Sequence, residues 1–299
     1  MGVWKMKKYG FRCASLGLAA ALLFSLAACG GIGAPAAESE SHEAVPAVAE
    51  SVTAMGTDPA APATEQETGG STTEAEAQPA IPSTKAEILA LYTQAMNKAK
   101  SGKPAYHKVE YQEITEKNFD GKAVNTVLSL ASKFMTTPEK AKKNPEIHEK
   151  RADTTYFPVY EGSAGCLIVP ENAEEAIKSA SCKELGDGNY EIVITLNEET
   201  DPEPLESYHG QMFSPLSRKV IDGELEKLSV VKTEYYSILY HDCTATLVVN
   251  PETMEIVSLY QRMYCLITAK GAIDMGIIHF DIDGNATLQN TLQITDFQY

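Results

Sequence analysis

Apolar and polar residues alternate along three long segments between residue 189 and the end of the chain. The segments are NYEIVITLN, CTATLVVN-PET-MEIVSLYQRMYCLIT and GIIHFDI-DG-NATLQNTLQITDF. A period of two sends successive side chains to opposite faces of the backbone, which is typical of half-buried β-strands. Turn signals adjoin these strands: GDG at 186–188, PE at 251–252 and DG at 283–284. We expect the last two to be hairpin turns, so that consecutive strands pair in an antiparallel sheet.

The residues before the sheet predict helices and one strand. Thr84 and Glu87 have the spacing of a capping box, and the helix that they begin should end near Gly102 and Pro104. Its apolar face has helical spacing and consists of Ile88, Leu91, Tyr92, Ala95, Met96 and Ala99. A second helix is expected over residues 122–135.

Between these helices, alternation predicts a half-buried strand. Its less polar side chains are His107, Val109 and Tyr111, which alternate with Lys108, Glu110 and Gln112. The pattern as a whole predicts an α+β fold, in which a curved antiparallel sheet packs on one or two N-terminal amphipathic helices.

Residues 30–82 cannot belong to this fold. They contain nine acidic residues, no Lys or Arg and no aromatic residue, and they show no hydrophobic periodicity. Such a composition buries too little apolar surface to offset the entropy of the chain, so we expect a disordered acidic tether. The folded domain is then a single α+β domain at residues 83–299.

The first 28 residues have the layout of a secretory signal. Lys5, Lys7, Lys8 and Arg12 precede an apolar run of about a dozen residues, which is too short to span a bilayer. The run ends in LAAC, and this motif resembles the lipobox of bacterial lipoproteins. The resemblance implies cleavage before Cys29, acylation of its thiol, and anchoring of residues 29–82 as a lipidated tether at the extracellular face of a Gram-positive-type cell membrane.

The domain itself resembles a group of uncharacterised clostridial surface lipoproteins. The resemblance lies in the helix TKAEILALYTQAMNKAKS and in strands such as GDGNYEIVITL and LVVNPETMEIVSLYQ. At fold level it is similar to the LolA- and LppX-type half-barrel lipoproteins, in which a curved sheet wraps around helices. The resemblance is one of layout and turns and carries no catalytic motif, and a shared fold does not by itself imply a function.

Charge and motif spacing exclude several classes of function. The formal net charge of −16 repels phosphate backbones, so no nucleic-acid partner is expected. No zinc-hydrolase histidine spacing occurs, and DIDGN at 281–285 fails the EF-hand pattern. The acidic segment 197–206 is expected to be a solvated loop with at most weak cation binding. We therefore predict no metal site, no cofactor and no catalytic residue.

Two small groups of residues are candidates for a functional site, and each also has an ordinary structural explanation. Tyr260, Arg262 and Tyr264 alternate along one strand face, where they either bind sugar rings or a peptide or merely stabilise the sheet. His241 and Cys243, placed two apart on a strand, would share a side as a nucleophile pair only with a third orienting group.

The folded part contains four cysteines, Cys166, Cys182, Cys243 and Cys265. Secretion permits disulfides, but the hairpin places Cys265 opposite Leu239 or Tyr240 and therefore out of register with Cys243. That pair should not form a bridge, and the state of the other thiols is left open.

These observations favour a non-enzymatic surface lipoprotein that binds an amphiphile or a cell-wall glycan or peptide. Two alternatives remain at this point. One is a secreted hydrolase of wall polymer or peptide with an unrecognised carboxylate pair, and the other is a structural subunit that docks to an envelope assembly.

Overall fold

The structure is a computed structural model that describes most of the chain after residue 80. The described residues are 81–119, 136–150, 156–157, 159–160, 164–226, 231–275 and 278–299. All of them belong to one compact unit, which includes Ile81–Tyr299. The second unit, Gly33–Ala80, lies outside the described residues, as do the predicted signal segment and the predicted helix at 122–135.

Eight antiparallel strands form one open sheet in the order β2-β1-β10-β9-β8-β6-β5, with β7 paired to β8. The strands are β1 (Ala105–Phe119), β2 (Glu146–His148), β5 (Ile177–Glu184), β6 (Tyr190–Leu196), β7 (Glu199–Thr200), β8 (Val231–Val249), β9 (Ile256–Met275) and β10 (Ile278–Gln298). A separate pair consists of β3 (Tyr156–Phe157) and β4 (Val159–Tyr160). The predicted antiparallel sheet is therefore confirmed, and it is larger than the alternating segments alone indicate.

Five α-helices accompany the strands in the described part of the chain. They are α1 (Lys85–Gly102), α2 (Pro138–Lys143), α3 (Ala173–Ala176), α4 (Tyr208–Met212) and α5 (Arg218–Glu226). Among the described residues, no helix combines the length and the apolar content needed to cross a bilayer.

Helix α1 begins as the sequence predicts. The Thr84 side chain accepts a hydrogen bond from the Glu87 amide, and the Glu87 carboxylate accepts one from the Thr84 amide. This capping box satisfies amides that the first turn cannot pair. The helix ends at Gly102, where Lys103 takes the left-handed conformation at φ 47°.

One face of the sheet, the covered face, belongs to the hydrophobic core. Side chains from β6, β8, β9 and β10 meet there in cross-strand rows, for example Ile192, Leu247, Leu259 and Ile294. The apolar face of α1 belongs to the same cluster of buried residues, and Gln261 of β9 donates to the Tyr92 hydroxyl at 3.4 Å. The opposite face of the sheet, the open face, carries the residues that alternate with these.

Two sequence predictions about strands are wrong. Strand β1 forms, but Tyr106 and Lys108 are the buried residues of its first half, so His107, Val109 and Tyr111 lie on the open face. The dipeptide at 283–284 is not a hairpin turn, because β10 runs continuously through it. Gly284 pairs with Ala269 on one side and Phe119 on the other, at a φ of 148°.

The other turns agree with the sequence. The GDG tripeptide joins β5 to β6 with Gly188 at φ 82°, and residues 250–255 join β8 to β9. In that second turn the Asn250 side chain accepts from the amides of Glu252 and Thr253. Cys265 lies opposite Tyr240 as predicted, and the four cysteines of the domain are free thiols.

Candidate functional site

The middle of the open face presents a grid of polar and aromatic side chains, which we call the platform. It consists of Thr246, Thr244 and His241 on β8, Tyr260, Arg262 and Tyr264 on β9, and Gln293, Thr291 and Gln289 on β10. Strand register sets the grid, because each β9 residue has one partner on either side. The alternation predicted for Tyr260, Arg262 and Tyr264 is thus present, since the intervening Gln261 and Met263 are buried on the covered face.

Arg262 is at the centre of the platform. Its Cζ atom lies 5.4 Å from the centroid of the Tyr264 ring, which is within the range of a cation–π contact. Its Nε atom is buried and has no hydrogen-bond partner. Within the described residues no carboxylate forms an ion pair with Arg262, and the aromatic ring of Tyr264 is the contact described for its guanidinium.

Tyr264 also contacts His241. The two rings stack at 5.7 Å with an interplanar angle of 18°. His241 also contacts the carboxylate of Asp242 through Nδ1 at 3.0 Å, and Lys178 contacts the same carboxylate at 3.2 Å. The hydrogen bond from His241, followed by that from Lys178, lowers the pKa of Asp242. This carboxylate therefore has two side-chain partners of its own.

Hydroxyl and amide groups surround the aromatic and cationic centre. Thr291 is only 1% exposed beside Arg262, and its hydroxyl accepts from the Gln289 side chain at 3.1 Å. On the other side the hydroxyl groups of Thr195 and Thr244 lie 3.3 Å apart. Tyr260 is 36% exposed. The platform can therefore offer a flat aromatic surface, a guanidinium and several neutral hydrogen-bonding groups to a ligand.

His241 and Cys243, which the sequence analysis considered as a nucleophile pair, do not share a face of the sheet. A bulge interrupts the pairing of β8 with β9 between His241 and Thr244, with Asp242 at φ 48°. The extra residue places the Cys243 side chain in the core, whereas His241 lies on the open face. Burial raises the pKa of the Cys243 thiol to about 12, so it is protonated at neutral pH and a poor nucleophile.

The acidic segment 197–206 is only in part the solvated loop that its composition predicts: Glu198 and Glu206 are exposed, but three other acids bind later residues. Glu199 accepts hydrogen bonds from the amides of Tyr208 and His209, and its Oε2 lies 2.6 Å from His209 Nδ1. Asp201 pairs with Arg218, and Glu203 accepts from the Ser217 hydroxyl and the Lys219 amide. These acids hold α4 and α5 in place. Within the described residues, no cluster of three or more His, Cys, Asp and Glu is arranged to hold a metal ion.

A charged cluster around the buried Lys108 lies on the covered face at the edge of the sheet. Lys108 is 6% exposed, and its ammonium lies 2.8 Å from Glu146 and 3.5 Å from Glu110. Glu146 also contacts His148 at 2.8 Å, and the His148 ring stacks on Tyr106 at 4.5 Å. The sequence analysis missed this cluster because it placed Lys108 and Glu110 on the exposed side of β1.

The pKa values of Glu110 and Glu146 are shifted in opposite directions. It raises the pKa of Glu110, and the charge of Lys108 opposes the shift only in part. For Glu146, burial acts in the same direction, but the hydrogen bond and charge of Lys108 outweigh it and lower the pKa. The alternative of a hydrolase requires a pair of carboxylates. Glu110 and Glu146 form such a pair, but both contact the ammonium of Lys108. The hydrolase is therefore still an alternative that the structure does not test.

A shallow groove on the covered face is the second candidate site. The space between its lining atoms amounts to about 320 Å³ when open solvent is included, and only about 20 Å³ of it is available to the centre of a water molecule. Its lining residues come from four strands and from the segment between α4 and α5, and they are Gln112, Ser214, Leu216, Tyr240, Met263, Cys265, Leu288 and Asn290. The Leu216 amide donates to the Tyr240 hydroxyl at 2.8 Å, which fixes the connecting segment against the sheet. The groove is mostly apolar with an amide-bearing edge.

The chain matches no model of a known protein family, no curated protein and no solved structure.

Proposed function

We propose that this protein is a surface lipoprotein, anchored through Cys29 to the extracellular face of the cell membrane, whose domain binds a cell-wall glycan or peptide. The observation that supports ligand binding is the platform. There Tyr260, Arg262 and Tyr264 lie in a row along β9, between rows of hydroxyl and amide groups on β8 and β10. Aromatic rings beside such donors and acceptors suit flat polar ligands such as sugar rings or peptide groups.

Binding to isolated cell walls tests the platform. The full chain should sediment with purified walls, and the double variant Tyr260→Ala/Tyr264→Ala should lose about tenfold or more in affinity, because two stacking surfaces are removed. Tyr235→Ala is the matched control, since Tyr235 is 55% exposed on β8 and lies outside the platform. Equal binding by the double variant and the wild type would contradict the proposal.

The anchor has an independent test. Cys29→Ala should leave the precursor uncleaved or release the protein from the membrane, because the thiol that accepts the acyl chains is gone. Detergent-phase partitioning compares the variant with the wild type, and Cys182→Ala is a control that removes a half-buried thiol of the domain. Unchanged partitioning of Cys29→Ala would end the lipoprotein proposal and leave the platform proposal standing.

A second candidate function is carriage of an amphiphile beneath a sheet that curves as a half-barrel. The groove around Met263 and Leu288 supports it, since apolar side chains there adjoin the amides of Gln112 and Asn290. Native mass spectrometry of the protein from its own membrane should then show a bound lipid. Leu288→Trp should remove that lipid by filling the groove, whereas Leu266→Trp, on the open face, should retain it.

A further inference from the structure

The two arginines among the described residues have different electrostatic surroundings. Arg218 forms an ion pair with Asp201, lies 3.9 Å from Asp222, and stacks on Tyr236 at 4.3 Å. Arg262 has the aromatic contact with Tyr264 but no carboxylate partner in the described part of the chain, and its buried Nε is unpaired. In a chain with 41 acidic and 25 basic residues, an unpaired guanidinium at the centre of a sheet face is unexpected.

Acidic residues of the described chain lie on the strands of the platform and on the strands beside it, and none of them forms an ion pair with Arg262. Asp242 is held by His241 and Lys178. Glu191, on the open face of β6, pairs with Lys183 at 2.7 Å. Glu113 is opposite Gln289 on β1, two strands from β9, which corresponds to about 10 Å across the sheet. The cross-strand neighbours of Arg262 itself are the neutral Thr244 and Thr291.

We propose that Arg262 is an anion-binding centre, and that the ligand of the platform is a hydroxyl-rich polymer carrying carboxylate or phosphate groups. This inference rests on the proposed function of the platform and specifies the chemistry of its ligand. A guanidinium binds carboxylate and phosphate with paired, charge-assisted hydrogen bonds. The hydroxyls of Thr244 and Tyr260 and the amides of Gln289 and Gln293 supply donors and acceptors for the uncharged part of the ligand.

The spacing of the three β9 residues sets the size of the ligand. Tyr260 and Tyr264 are four residues apart on one strand, or about 13 Å, with Arg262 midway between them. A ligand that contacts both rings is longer than one monosaccharide, so the platform fits a segment of a polymer with its anionic group near the middle.

The acidic composition of the chain does not prevent this contact. At physiological ionic strength, charges more than about 8 Å apart in solvent are largely screened. The repulsion from distant carboxylates is therefore weak at the platform, while the contact with Arg262 is made at hydrogen-bond distance.

Calorimetric titration of the full chain tests the inference with three probes. They are oligogalacturonate, which carries carboxylates, poly(glycerol phosphate), which carries phosphodiesters, and a neutral cello-oligosaccharide of matched length. At least one charged probe should bind about tenfold or more tightly than the neutral one, and Arg262→Gln should remove this preference. Arg262→Lys should keep part of it, since a lysine retains the charge without the planar fork.

Lys183→Gln is the matched control. It removes one positive charge from the open face outside the platform, so it changes the net charge as Arg262→Gln does. Its affinity for the charged probe should stay within about twofold of the wild type, because a single distant charge is screened. If Lys183→Gln weakens binding as much as Arg262→Gln, net charge and not Arg262 controls the affinity, and the inference is wrong.

The outcomes separate this inference from the proposed function. Preference for the carboxylate probe or for the phosphate probe supports the inference and identifies the anionic group. If neutral and charged probes bind equally and Arg262→Gln changes neither affinity, the inference about Arg262 is wrong, while the platform proposal stands. If the Tyr260→Ala/Tyr264→Ala variant binds walls as the wild type does, the proposed function of the platform is wrong, and the inference that rests on it is wrong as well. Should Arg262→Gln unfold, the wild-type preference and Arg262→Lys still decide the question.

Discussion

At the scale of single residues, the buried carboxylate of Glu110 is the most unusual feature of the domain. Burial raises its pKa, so the folded state holds a proton on Glu110 more readily than the unfolded state does. Stability therefore falls as the pH rises from the unfolded value near 4.5 through the folded value. Above this window the charged form of Glu110 opposes folding.

Replacement of Glu110 by glutamine should raise the stability of the protein at pH 7. The amide keeps the shape of the side chain and removes the cost of a buried charge, while Lys108 keeps Glu146 as its partner. Thermal melts from pH 4.5 to 8 should show a higher midpoint for Glu110→Gln and a smaller decline with pH. Glu113→Gln, on the other face of the same strand, is the control. A lower midpoint at pH 7 would show that the pair with Lys108 outweighs the cost of burial.

The capping box gives a second prediction at this scale. Thr84→Ala removes the side chain that accepts from the Glu87 amide, and should lower the stability by about 1 kcal/mol, or the melting temperature by about 3 °C. Ser101→Ala, in the last turn of α1, is the control, since its hydroxyl contacts only the Lys98 carbonyl. Loss of stability in the control alone would contradict this account of how α1 begins.

The capping box also predicts an acid-dependent loss of stability. Hydrogen bonds from the amides of Ser83 and Thr84 lower the pKa of Glu87 to about 2. A carboxyl with a depressed pKa contributes stability above its unfolded value near 4.5, and the contribution disappears as the pH falls towards 2. Glu87→Gln should therefore show a smaller decline in melting temperature over this window than the wild type.

At the scale of elements, local sequence predicted those strands and turns whose partners are near in the chain. The alternation of β6, β8 and β9 and the capping signals of α1 were sufficient, because the turns at 186–188 and 250–255 bring neighbouring segments together. The bulge that moves Cys243 into the core had no local signal beyond Asp242, a residue type that tolerates positive φ.

Long-range pairing explains where the sequence predictions were wrong. Lys108 is buried because Glu146 of β2 and Glu110 neutralise it, and no local pattern around β1 indicates that β2 pairs there. Glu199 and Asp201 of segment 197–206 are half-buried because their partners, His209 and Arg218, come from later helices. The platform was predicted in part. Alternation predicts that Tyr260, Arg262 and Tyr264 share one face of β9. The threonines and glutamines beside them are determined by the pairing register of β9 with β8 and β10, which local sequence does not indicate.

Gly284 gives the prediction at this scale. Its dipeptide resembles a hairpin turn, yet pairing with β1 and β9 extends β10 through it. A Cβ atom at Gly284 would lie 2.2 Å from the Asn118 carbonyl oxygen and 2.7 Å from the Phe119 Cα atom, at a φ of 148°. Gly284→Ala should thus cost at least about 2 kcal/mol, because backbone atoms must move. Gly186→Ala, where a Cβ meets no atom within 4 Å, should be nearly neutral in urea unfolding. Equal stability of the two variants would contradict the close approach.

At the scale of the whole molecule, composition predicts how the chain is divided into a tether and a folded domain. The compact unit that contains Ile81–Tyr299 includes the capping box at its start, whereas the acidic residues 30–82 have too little apolar content to contribute to a core. We therefore expect the tether to set the distance between the anchor and the platform and to contribute nothing to folding. Its expected mean span is about 40 Å, so a platform-bound ligand need not touch the bilayer.

Two shortened chains test this division. A chain that begins at Ile81 should melt cooperatively at the same temperature as the mature protein, because only the tether is removed.

A chain that begins at Gly102 lacks the buried side chains of α1, among them Ile88, Leu91 and Met96. Three large apolar side chains at about 1.5–3 kcal/mol each account for much of the 5–15 kcal/mol that typically stabilises a domain, so this chain should be insoluble or lack fixed packing. Near-UV circular dichroism decides between the outcomes: a native aromatic signal from the chain beginning at Gly102 would show that α1 is peripheral to the core. A lower melting temperature of the chain beginning at Ile81 would show that the tether is part of the fold.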